Sequence, residues 1–172
     1  MDLVEVYQAL GQERSNRLIR TVSIGALKTF GVYEAVKVRS RLQRLNRQKL
    51  RMAAPKLWKR ISEGDAGLAR EMAQAVLVSN IPLIVEVLEQ LGIEHDGNGF
   101  FDKDGDYSDR LAEGWQGEIF AKCREKYDED VVLLYINHLG WESGTAEEPF
   151  LGQAGADQPS APSAAPATDR RD

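Results

Sequence analysis

The stretch densest in possible chemistry is Asp102-Lys103-Asp104-Gly105-Asp106, followed by Ser108 and Glu113. With Asp102 as the first position of a calcium loop, Asp104, Asp106, Ser108 and Glu113 fall at positions three, five, seven and twelve, where an EF-hand supplies oxygen ligands. The glycine needed at position six for the sharp turn is replaced by Tyr107. One reading is therefore calcium or magnesium held by Asp102, Asp104, Asp106 and Glu113. The other is a polar turn in which Asp106 or Ser108 caps the next helix.

A second constellation is basic. Lys37, Arg41, Arg44, Arg47 and Arg51 recur at spacings of three and four, which stacks them along one side of a helix. No acidic residue lies between Lys37 and Ser62, and Lys56, Lys59 and Arg60 extend the run. The planar guanidinium fork grips a carboxylate or phosphate through paired hydrogen bonds. An acidic protein surface or another copy of the chain is the first partner class expected. Nucleic acid is the second, with binding that weakens steeply in salt. No helix-turn-helix, RRM or zinc-finger pattern accompanies the stripe, and stacking aromatics are missing around it. Anionic membrane is a third partner. Leu18, Ile19, Val22, Leu27 and Phe30 beside Arg14, Arg17, Arg20 and Lys28 make an amphipathic pattern, although the same apolar stripe serves equally as core.

The remaining reactive side chains are sparse. His95 adjoins Asp96 in a glycine-rich loop, and His138 stands four residues before Glu142. Two distant histidines do not make a zinc site without further ligands. Cys123 is the sole cysteine, so no intrachain disulfide can form. It shares an apolar helical side with Ile119 and Phe120 and reads as a small core residue. Phosphate-cradling, nucleophile-elbow and HExxH patterns are absent. The pattern points away from an enzyme and toward an interaction protein.

The elements that must position these residues read as helices. Asp2 to Leu10 reads as a short first helix ended by Gly11, and a second helix runs from Glu13 toward Gly31, weakened by Gly25. A helix is expected from Val32 to about Ala54, with Val38, Leu42, Leu45 and Met52 inward. Pro55 breaks it or opens the next helix, which carries Leu57, Trp58 and Ile61. Asp65 and Asn80 are N-cap candidates for two further helices, with Pro82 in a first turn and Gly92 as a stop. Residues 95–106 form a loop whose Asp-Gly and Asn-Gly pairs also allow a hairpin. Tyr107 to Tyr127 is expected as a helix with Leu111, Trp115, Ile119, Phe120 and Cys123 inward. Three carboxylates from Asp128 precede a last apolar helix ended by Gly140. A weak repeat at a shift of 48 lays 72–94 over 120–142, each copy a helix, a cap, an apolar helix and Leu-Gly.

The fold class that follows is all-α, an irregular helical bundle or two stacked helical hairpins, with a disordered C-terminal tail. The 172 residues divide into a helical domain over 1–142 and an Ala/Pro/Ser/Gly-rich tail over 143–172. An apolar fraction of 42% suffices for one core. The net charge of −5 conceals a division: residues 1–61 carry +10 and residues 62–172 carry −15, so the domain has a basic part (13–61) and an acidic part (62–142). Such asymmetry implies a charged partner or the two parts facing each other. No run of 18 apolar residues occurs and the first residues lack a secretory pattern, so a reducing cytoplasm is the expected setting.

Overall fold

The computed structural model describes residues 1–32, 46–102 and 104–152. Among them run seven helices: α1 (Leu3–Thr21), α2 (Ile24–Thr29), α3 (Arg47–Ser62), α4 (Ala66–Val78), α5 (Ile81–Leu91), α6 (Trp115–Cys123) and α7 (Glu129–Glu142). No strand occurs among the described residues; one antiparallel bridge joins His95 to Phe101. The all-α expectation holds.

Helix α1 begins with a reciprocal capping box. Asp2 accepts from the Glu5 amide at 2.9 Å and Glu5 accepts from the Asp2 amide at 2.6 Å, which satisfies donors that a helix start leaves free. Gly11 adopts φ 76°, in the left-handed region that glycine enters without steric cost, and kinks the helix. Buried Ser15 donates to the Tyr7 carbonyl at 3.2 Å, so an acceptor beside the kink stays bonded. The kink turns both segments inward: Val6, Tyr7, Leu18 and Ile19 are wholly buried.

Around this kinked helix the bundle assembles. Helix α1 packs on α3, α4 and α7, and α4 also meets α2, α3 and α5. Helix α6 lies against α5 and α7. Asp65 caps α4 through the Leu68 amide at 3.0 Å, as its position predicts. Asn80 precedes α5 as predicted but its side chain donates backward to the Val76 carbonyl instead of capping. Gly92 ends α5 at φ 64°. Leu18, Ile19, Val22 and Leu27, the stripe that also fitted a membrane surface, are core. No single described helix is long and apolar enough to cross a membrane; α4 and α5 together meet that length and composition only as a pair bent by 85°.

Four expectations need correction. The helix predicted to run from Glu13 toward Gly31 ends at Thr21, because the Ser23 hydroxyl takes the Ala26 amide at 3.0 Å and starts α2 anew. The helix predicted over Val32 to Ala54 is interrupted at Asn46. That residue is extended and caps α3 through the Lys49 amide at 2.9 Å. Helix α3 then passes straight through Pro55, which stands on its half-exposed side, where one missing amide bond is tolerated. The helix predicted over Tyr107 to Tyr127 is confined to α6: Asp106 binds the Ser108 amide and hydroxyl, and Gly114 at φ 88° opens the helix late. Its predicted inward residues are nevertheless all buried, from Leu111 to Cys123.

The fourth correction concerns the C-terminus. Gly140 does not stop α7, which continues to Glu142. A Cβ there would lie 2.8 Å from that of Ala146, so the glycine admits a returning chain. Residues 143–152, expected within the tail, form a packed strap. Buried Asn137 donates to the Phe150 carbonyl at 2.8 Å and accepts its amide at 2.6 Å, and Phe150 meets Phe120 edge-on at 5.7 Å. The rest of the expected disordered tail, 153–172, lies outside the described residues.

Candidate interaction surface

Helix α3 owes its orientation to an inner face of Leu50, Ala53, Ala54, Leu57 and Ile61, all buried. Its alanines leave room for close approach to α1. With that face fixed, a 3.6-residue period carries Arg51, Met52, Lys56 and Lys59 to the solvent side, and all four are exposed, Arg47 with them. Met52 is 73% exposed, contrary to the inward position predicted for it. Helix α3 starts only after the Asn46 cap, and its buried face is set by Leu50, Ala53, Ala54, Leu57 and Ile61; Val38, Leu42 and Leu45, predicted to share a face with Met52, lie outside the described residues. Lys37, Arg41 and Arg44, the N-terminal members of the basic stripe, lie outside the described residues; Arg47 and Arg51 are on the surface.

Two cations near the end of α3 have local partners. Lys59 lies 3.6 Å from Glu63, and Arg60 2.6 Å from Asp65. The Leu68 amide and then Arg60 hold the Asp65 carboxyl below its ordinary range. Among the described residues no carboxylate pairs with Arg47, Lys49, Arg51 or Lys56.

The basic residues of α1 differ. Arg17 grips Asp130 through two bonds, Nε to Oδ2 at 2.6 Å and Nη2 to Oδ1 at 3.2 Å, and also reaches Glu13 at 3.0 Å. Arg14 reaches Glu129 at 3.2 Å. Asp128 caps α7 through the Asp130 and Val131 amides, which places these carboxylates at the positive end of the helix dipole. Part of the charge division is thus closed inside the molecule.

The described residues of the acidic segment, 94–102 and 104–113, are held by local turns. Asp96 accepts from the Asn98 amide at 2.8 Å and the Phe100 amide at 3.0 Å, and the Asn98 bond leads in holding its carboxyl low. Asp102 accepts from the Asp104 amide at 3.1 Å, and the Tyr107 hydroxyl donates to the Asp102 carbonyl at 2.6 Å. Gly99, at φ 88°, passes so close to α5 that a Cβ would stand 2.6 Å from Ile84. Phe101 turns inward, edge-on to Tyr107 at 5.9 Å, whereas Phe100 is 73% exposed. Asp102 and Asp106 therefore act as turn-forming acceptors. Among the described residues, Asp102, Asp104, Asp106 and Glu113 are not drawn into a group of three or more ligands able to hold a metal ion.

The other reactive side chains are structural. His95 Nδ1 accepts the Gly97 amide at 3.0 Å, and His138 Nε2 lies 3.5 Å from Glu142. Cys123 is buried beside Gln90, and desolvation pushes its thiol up. Glu86 binds Lys126 and, at 2.6 Å, the Tyr127 hydroxyl, pinning α5 to the segment after α6; the Lys126 bond first, then Tyr127, holds its carboxyl low.

Sequence reasoning missed Asp130 as an ion-pair anchor and the two most exposed large hydrophobes, Met52 and Phe100. Asp130 carried a signal in being the third of three carboxylates at one helix start; Met52 and Phe100 carried none. Comparisons with family models, curated proteins and solved structures returned no match.

Proposed function

We propose that this chain is a non-enzymatic helical interaction protein whose outer α3 face docks on an acidic protein surface. The observation that carries the reading is exposed Met52 between exposed Arg51 and Lys56, with Arg47 exposed at the helix start, on a helix with no acidic residue of its own. A protein partner is favoured over nucleic acid because an apolar side chain sits between two of the cations and no aromatic is exposed on that face; Trp58 is half-buried against the core. Apolar anchors ringed by charge are the usual anatomy of protein interfaces.

The test is a fluorescence-anisotropy titration with a labelled acidic peptide containing leucines, and with duplex DNA as the rival probe. Salt is varied between about 0.1 M and about 1 M, over which the Debye length falls from about 10 Å to about 3 Å. The peptide is expected to bind at low salt, and the Arg47→Ser/Arg51→Ser/Lys56→Ser variant to lose that binding. Unchanged binding by the variant, or tighter binding of DNA than of peptide, overturns the proposal; the latter result transfers the surface to phosphates.

A further inference from the structure

Resting on the basic-face reading above, we infer that the acidic partner is a second copy of this chain, docking through its 94–113 loop in a head-to-tail contact. The charges match: residues 46–63 hold six Lys/Arg and one Glu, net +5, and residues 94–113 hold seven Asp/Glu and two Lys/Arg, net −5. The apolar anchors match as well. Each surface carries one large hydrophobe at 73% exposure, Met52 on the basic face and Phe100 on the acidic loop. A thioether and an aromatic ring make a favourable contact in their own right.

Among the described residues no hydrogen bond joins the two surfaces within one protomer. Helix α3 packs chiefly on α1 and α4, whereas the loop joins α5 to α6 and rests on α5 through Gly99. Among the described residues no ion pair joins the two segments. The loop is also preformed, because the Asp96 and Asp102 turns fix its path before any partner arrives, which lowers the ordering cost of association. Since the basic face of one copy meets the acidic loop of the next, the contact is heterologous. Each added copy leaves one face and one loop unused, so association proceeds past the dimer unless a ring closes.

Sedimentation velocity on the full chain tests this. At about 0.1 M salt the mean mass of the wild type is expected to rise with concentration above the 19.2 kDa protomer, and at about 1 M salt to return to it. Arg51→Glu/Lys56→Glu alone and Asp104→Lys/Asp109→Lys alone are each expected to need about tenfold or higher concentration to associate. An equimolar mixture of the two retains one intact loop and one intact basic face. It is expected to associate at concentrations where neither variant does so alone. A wild type that stays at protomer mass at every concentration and low salt overturns the inference, whatever the variants do. So does a mixture that stays monomeric, or a variant that associates as well as the wild type. If the wild type is monomeric yet still binds the acidic peptide through α3, this inference alone fails; if peptide binding is also absent, the docking function fails with it.

Discussion

Arg14 and Arg17 on α1 and Arg47 and Arg51 on α3 are the same residue type at helical spacing, and they meet different surroundings. The α1 pair reaches across the bundle to Asp130, which is 3% exposed, and to Glu129. The α3 pair faces solvent with no carboxylate partner among the described residues. The difference lies in the neighbour. Helix α7 arrives at α1 with its N-terminus and the carboxylates collected there, whereas the acids that reach α3, Glu63 and Asp65, pair with Lys59 and Arg60 near its end and none among the described residues pairs with Arg47 or Arg51. A charge division read along the chain is thus two separate things, an internal clamp and an external surface.

Perturbing the clamp and the surface should give effects of different kinds. The largest expected loss comes from the packing that holds α1 in place. Leu18→Ala removes a wholly buried side chain and should cost about 2–5 kcal/mol in urea unfolding. Next, Asp130→Ala leaves two guanidinium groups without their buried acceptor and should cost about 2–3 kcal/mol by the same measurement. A loss below about 0.5 kcal/mol would show that the clamp is ornamental and break the comparison.

A smaller effect should appear in acid. The folded Asp65 carboxyl titrates below its unfolded value of about 3.9. Its contribution is therefore present above that value and lost as pH falls through the folded pKa. Asp65→Asn keeps a capping side chain but loses the Arg60 charge pair, so wild type and variant should differ in thermal midpoint near neutrality and converge as pH drops through that window. A midpoint difference that persists unchanged in strong acid contradicts this assignment. The smallest stability effect belongs to the surface. Arg51→Ser should change unfolding stability by no more than about 0.5 kcal/mol while weakening binding to an acidic probe. Loss of stability without loss of binding would reverse the roles assigned to α1 and α3.

The legible parts of the fold were those where one residue settles a local question. Asp65 and Asp128 cap because a short carboxylate satisfies amides two or three residues ahead, and Gly92 stops α5 because the left-handed region costs it little. Gly140 looks the same in sequence as Gly92, also following a leucine at the end of an apolar run, yet it lies inside α7. What distinguishes them is Ala146 on the returning strap, a neighbour set by tertiary packing. For that reason the two units of the weak repeat end differently. The strap itself was illegible, since Phe150 is a lone aromatic in a polar stretch and its anchor, Asn137, is an amide buried on an apolar helix.

The candidate surface divides in the same way. Composition and spacing alone established an all-helical domain, a basic segment free of acid, a carboxylate-rich loop and the inward residues of most helices, because periodicity reports which side chains share a face. They could not establish which charges are spent inside the bundle, because that depends on which helix ends meet. The tertiary structure assigned Asp130 to Arg14 and Arg17, turned Met52 outward on a helix that starts after Asn46, and left Phe100 exposed beside half-buried Phe101. Each outcome follows from the same physical fact: a helix buries the face its neighbours complete, and the neighbours of α3 complete only one.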